Sequence, residues 1–151
     1  MQTSPVAKID LAAVQANLAR VKQLAPNSQI ISVIKADAYG HGAIKIAQAL
    51  SKTDAFAVAR LSEALALREA NINHPIVVLE GVHSAEDLEL SVHHKLSLVF
   101  HHQSQIELLR ITQLSAPLAF SWLMLETGMH RLGLTAEQAQ QALTLLTADS
   151  V

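Results

Sequence analysis

Residues 30–42 read I-I-S-V-I-K-A-D-A-Y-G-H-G, and this stretch decides the fold. The β-branched run Ile30–Ile34 has the composition of a strand buried in a parallel sheet, where both faces are covered and no polar alternation is required. The Gly40-His41-Gly42 punctuation then passes the chain to a helix. Lys35 therefore falls at the C-terminal end of a strand, where βα folds place their chemistry. A lysine desolvated there loses proton affinity, because burial disfavours the charged form, and it becomes a nucleophilic amine able to form a Schiff base. Position alone leaves a second reading open: a strand-end lysine whose stem packs while its ammonium reaches solvent.

The same rhythm extends in both directions. Upstream, Asp10 can cap a helix whose apolar positions Leu11, Val14, Leu18 and Val21 follow helical spacing, with Pro26-Asn27-Ser28 ending it. Downstream, a helix over 43–50 precedes a short apolar strand, Ala55–Ala59, and a helix over 61–70 built from good helix formers. Strands follow at Ile76–Leu79, Leu96–Phe100 and Pro117–Leu125, separated by helices to about Val92 and over Gln103–Leu114. Ser84 with Asp87, and Thr135 with Gln138, have capping-box spacing for the helices they precede, the last running to about Ala148. Alternation of this kind implies parallel pairing and right-handed βαβ crossovers. The fold class is α/β: an N-terminal helix followed by about five βα units in one domain over residues 1–151. The pattern fits either an open doubly wound sheet or part of a barrel. A closed eight-stranded barrel takes about 250 residues, well beyond this length. The ending Asp149-Ser150-Val151, directly after a helix, reads as a cut.

Composition narrows the function classes. A net charge of −2 gives no electrostatic case for nucleic acid or an anionic membrane. Cysteine is absent, which removes disulfide and thiolate chemistry and is compatible with a reducing cytoplasm. The first residues M-Q-T-S-P-V-A-K-I-D lack the charged and apolar regions of a signal peptide. No run of about 18 uninterrupted apolar residues is long enough for a membrane span. A soluble cytoplasmic chain is expected. The eight histidines include the adjacent pairs His93-His94 and His101-His102, not the helical spacing of a zinc-binding motif, so no metal is expected. Glu86-Asp87 reads as helix cap and solvated surface.

The segment V-I-K-A-D-A-Y-G-H-G, residues 33–42, resembles the cofactor-lysine motif of the alanine racemases, which use pyridoxal 5′-phosphate. The resemblance continues in order through F-A-V-A-R-L-S-E-A-L-A-L-R-E-A (56–70), P-I-V-V-L-E-G (75–81) and L-E-T-G-M-H-R-L-G (125–133). It implies the N-terminal portion of a (β/α)8 barrel domain, with the remaining barrel units and a C-terminal β domain lying outside this chain. Lys35 then forms the covalent link to the cofactor and moves the α-proton on the D-isomer's face, while the cofactor ring takes up the carbanion's charge. Tyr39 matches the tyrosine that binds the cofactor phosphate, although by itself it reads as a loop aromatic packed on a helix start. Arg131 matches the arginine beside the cofactor ring that helps hold the substrate carboxylate, a task suited to a planar, permanently charged fork, although by itself it reads as a solvated surface arginine.

The match departs from the family beside Arg131. Where L-K-x-D-T-G-M is common, this chain has L-M-L-E-T-G-M. Met124 replaces a lysine that is often carbamylated and braces the arginine, so another acceptor must steady Arg131. Glu126 replaces aspartate, and its longer arm is the candidate to compensate. Tyr39 is the single tyrosine, whereas the family draws a second acid/base tyrosine from the partner subunit's C-terminal domain. Racemisation of L- to D-alanine is therefore expected of the parent enzyme, with this chain alone inactive. Alternatives are a non-catalytic module that holds the cofactor on Lys35 and an inert folding unit. Exposed edges of an unfinished barrel predict self-association.

Overall fold

Asp10 starts the first element. Its carboxylate accepts from the Ala12 and Ala13 N–H groups and caps α1 (Leu11–Leu24), satisfying donors that a helix start leaves unpaired. Ala25, which precedes Pro26, leaves helical geometry at φ −131° and ψ 63° and ends α1. The computed structural model describes residues 6–148; the first residues and Asp149-Ser150-Val151, on which the reading of a cut rests, lie outside the described part.

Strands and helices then alternate: β1 (Ile31–Val33), a left-handed turn labelled α2 (Lys35–Gly40) leading into the helix α3 (Ala43–Ala49), β2 (Ala55–Val58), α4 (Leu61–Glu69), β3 (Ile76–Val78), α5 (Ala85–His93), β4 (Ser97–Phe100), α6 (Gln103–Ile111), β5 (Ser121–Leu123) and α7 (Ala136–Ala148). All five strands pair in parallel in the order β1-β2-β3-β4-β5. A doubly wound sheet reverses its strand order at a switch point. This sheet does not reverse, so it is the wall of a barrel, incomplete at this length.

Burial confirms a one-sided wall. Phe56, Val58, Ile76, Val78, Leu98 and Phe100 share a core with Ala64, Leu67, Leu88 and Ile106 from the helices. Phe56 and Phe100 are fully buried there, each contributing about 1.5–3 kcal/mol by area. The opposite face carries a small cluster of Ala57, Val77 and Val99 with Leu79 and Met124 against it. Register places Val33 beside Ala57 and Trp122 beside Val99 on that inner face, and alternation adds Ile31 and Phe120. These four remain 42%, 43%, 40% and 60% exposed, respectively, and the Phe120 and Trp122 rings meet edge to face at 5.2 Å.

Arg68 closes the N-terminal end of the strands. Its guanidinium donates to the carbonyls of Ile72 at 2.6 Å and His74 at 2.8 Å before β3, and of His94 at 3.0 Å and Lys95 at 3.3 Å before β4. Burial pulls its pKa down from the usual guanidinium value, although it remains charged.

Two expected elements are shorter than the sequence suggests. The strand read over Pro117–Leu125 is confined to Ser121–Leu123, and Pro117, which has no N–H for a ladder, lies outside it. Met124 N–H still reaches Phe100 O at 2.9 Å. The helix read to Leu114 ends at Ile111, where Thr112 turns extended and its hydroxyl donates to Leu108 O at 2.6 Å. The Thr135–Gln138 capping box is reciprocal, at 3.0 and 3.2 Å.

Candidate active site

A left-handed turn follows Lys35. Ala36, Asp37, Ala38 and Tyr39 have φ of 50°, 53°, 53° and 57° with ψ between 36° and 52°. Left-handed helical backbone costs L-residues roughly 1–2 kcal/mol each, so a run of them needs strong local support. Strain of this kind concentrates at functional sites, where the surroundings over-determine it.

The support is visible. Ala36 N–H donates to Glu63 Oε1 at 2.6 Å, and Ala38 N–H to Ile34 O at 2.9 Å. Asp37 accepts Ala43 N–H on Oδ1 at 2.7 Å while its carbonyl accepts Gly42 N–H at 2.9 Å, tying the turn to the start of α3. His41 Nδ1 donates to Ala38 O at 2.8 Å. Gly42, at φ 89°, carries the chain out of the turn through backbone that side-chain-bearing residues rarely adopt. The expected passage from strand to helix through Gly40-His41-Gly42 is present, preceded by this unanticipated turn.

Lys35 stands directly after β1, where Ile34 N–H extends the ladder to Ala57 O at 2.8 Å. It is half-buried, and its amine has no hydrogen bond or ion pair among the described residues. Tyr39 is 61% exposed, one turn further on, and lines a cleft beside Val14, Leu18 and Val33 at the open β1 edge.

Arg131 lies on the loop after β5, also at the C-terminal ends of the strands, and is exposed. It borders a cleft of about 370 Å³ with His83, His101, His102, Glu126 and His130. Glu126 accepts the Gly128 N–H at 2.6 Å and the His130 N–H at 2.8 Å, and pairs with His130 Nδ1 at 3.0 Å. The His130 and Gly128 amides hold its carboxyl below the usual carboxylate range. Glu126 is thus committed to its own loop and makes no bond to Arg131, which has no partner among the described residues. Met124 packs into the apolar inner cluster. Gly133 lets the loop return, since an added Cβ would stand 2.7 Å from Glu126 N.

Lys35 and Arg131 share one end of the sheet but flank its first and last strands. At the usual strand spacing they are separated by on the order of 20 Å along the wall. The structure does not bring them into contact. The histidines have local roles: His101 Nε2 donates to Glu80 O at 2.9 Å, and His93 and His94 meet edge to face at 4.9 Å. Among the described residues no group of three metal-ligating side chains is placed to hold an ion.

Sequence reasoning missed Glu63, whose carboxylate also accepts from Ala59 N–H at 2.8 Å and Arg60 N–H at 3.0 Å. Arg60-x-x-Glu63 has capping-box spacing, but arginine is not an N-cap residue that draws attention.

The donor set fits the amine end of pyridoxal 5′-phosphate: a half-buried lysine with no competing partner. Toward a phosphate the turn offers the Tyr39 hydroxyl, because the Ala43 N–H at the start of α3 is already taken by Asp37.

Residues 9–150 match the family model for the alanine racemase N-terminal domain. The chain is 49% identical over 142 residues to the alanine racemase of Pectobacterium carotovorum, covering 94% of this chain and 39% of that protein. The biosynthetic alanine racemase of Pseudomonas aeruginosa superposes with a TM-score of 0.88 at 38% identity, over 93% of this chain and 39% of that one. The Bartonella henselae alanine racemase, solved with covalently bound pyridoxal phosphate, gives a TM-score of 0.77 at 30% identity, over 94% of this chain and 40% of that one. The chain spans about 40% of the length of the curated relatives it matches. From residue 9 to residue 150, the chain belongs to the alanine racemase family.

Proposed function

We propose that this chain is the cofactor-lysine part of a cytoplasmic alanine racemase that interconverts L- and D-alanine for cell-wall precursors, its remaining barrel units and C-terminal β domain lying outside these residues. The observation that carries the reading is the uncommitted Lys35 amine at a strand end, followed by a strained turn that its neighbours hold in place. Pyridoxal 5′-phosphate, when bound, supplies an aldehyde for an amine and a ring that accepts negative charge. Lys35 Nζ holds the cofactor covalently and moves the α-proton on one face. The Tyr39 hydroxyl binds the phosphate, and Arg131 receives the substrate carboxylate.

Proton exchange on both faces needs two groups, and the single tyrosine already has another role. This chain therefore takes up pyridoxal phosphate without measurable turnover. Added cofactor should give a visible absorbance band, and borohydride reduction should leave a label on the Lys35 peptide. Lys35→Ala should abolish both. Absence of label from Lys35 in the wild-type chain, or near-native racemisation by it, would overturn the proposal.

The uncovered inner wall and the open edges of β1 and β5 favour association with a second copy. Sedimentation should show concentration-dependent dimers; a monomer at all concentrations sinks this part of the reading.

A further inference from the structure

We propose that Glu63 is a positioning residue for Lys35. Its carboxylate is a bridge between neighbouring strand ends: Oε1 accepts Ala36 N–H at 2.6 Å, while Oε2 accepts Ala59 N–H at 2.8 Å and Arg60 N–H at 3.0 Å. The first bond comes from the β1 side and the other two from the β2 side. Charge-assisted bonds of this length are about twice as strong as neutral ones.

The bond to Ala36 is the informative one. A helix-capping glutamate needs only donors at its own helix start, which Ala59 and Arg60 supply. Ala36 belongs to another loop, and its N–H lies in the peptide plane formed by the Lys35 carbonyl. Ala36 is also the first left-handed residue. Holding its N–H therefore fixes the backbone rotation on the C-terminal side of Lys35 and the start of the strained turn together. Asp37 fixes the other end through Ala43 N–H at 2.7 Å. Lys35 has a flexible stem of four carbons, and the direction in which that stem leaves the strand is set by this anchored peptide. Glu63 acts through the backbone and does not touch the amine.

The inference rests on the reading of Lys35 as the cofactor lysine, and its test separates the two. Wild-type chain, Glu63→Gln and Glu63→Asp are compared by hydrogen exchange without cofactor, then by titration with pyridoxal 5′-phosphate followed by borohydride reduction and peptide mapping. Glutamine keeps the shape but turns an N–H₂ toward an N–H donor. Aspartate is one carbon shorter, so it can serve the Ala59 and Arg60 amides without spanning to Ala36. Both variants should accelerate exchange over residues 36–39 by on the order of tenfold. Both should weaken cofactor uptake similarly, with the label spreading from Lys35 to other lysines.

Faster exchange at 59–63 alone, with 36–39 and cofactor affinity unchanged, would make Glu63 a helix cap and overturn the inference. If Glu63→Gln fails to fold, Glu63→Asp alone decides between these outcomes. A wild-type chain with no label on Lys35 overturns the proposed function and the assignment toward the cofactor together. Wild-type labelling with unchanged labelling in a folded variant overturns the inference and leaves the function standing.

Discussion

Arg68 and Arg131 carry the same group at opposite ends of the sheet and use it in opposite ways. Arg68, half-buried before β3 and β4, has its donors spent on the carbonyls of Ile72, His74, His94 and Lys95. Arg131, exposed after β5, bonds to none of the described residues. Lys35, at the same end as Arg131, is equally uncommitted. In barrels of this kind the N-terminal end of the strands serves stability and the C-terminal end serves chemistry. The contrast teaches how to recognise the two ends from bonding alone: a cation with all its partners supplied internally is structural, and one left with none is available.

The largest expected effect tests the structural side. Arg68→Ala leaves part-buried carbonyls without this donor and should destabilise the chain by about 1–3 kcal/mol in urea unfolding. Arg131→Ala in the same assay should change stability by less than about 0.5 kcal/mol. Equal losses from both substitutions would break the comparison.

The smallest effect sharpens it within the C-terminal end. Glu126 titrates below the usual carboxylate range because the His130 and Gly128 amides favour its charged form, with the nearby His130 ring pairing to it. A depressed folded-state pKa contributes stability that is fully present above the unfolded value. That stability is lost as pH falls through the folded value. The 124–133 loop should therefore stay ordered through the ordinary glutamate range and loosen only at lower pH. Trp122, the single tryptophan, lies just upstream and reports the step by fluorescence. Glu126→Gln should remove the step; an unchanged acid transition in that variant would show that the loop does not depend on the carboxylate.

Much of this architecture was legible because it rests on local rules. Asp10, Ser84 and Thr135 were recognisable as caps, and each accepts the bonds its position requires. The apolar runs of β2, β3 and β4 lie within a residue of where composition puts them. The left-handed turn was not legible. Alanine and tyrosine have no preference for that backbone, and the bond that holds its first residue comes from Glu63, distant in sequence. The fate of Glu126 was hidden for a related reason: its partners are amides of its own loop, and backbone donors have no signature in side-chain sequence. Arg68 lies in the 56–70 motif, yet nothing in the letters marks its four carbonyl partners.

The unreversed strand order has a consequence for how the molecule is made. Each strand pairs with the one synthesised just before it, so every new βα unit finds its docking edge already in place as it leaves the ribosome. Growth is one-directional, like laying staves beside one another. The face that β5 leaves unpaired is the same kind of edge that β2, β3 and β4 each presented in turn while the next strand was still being made.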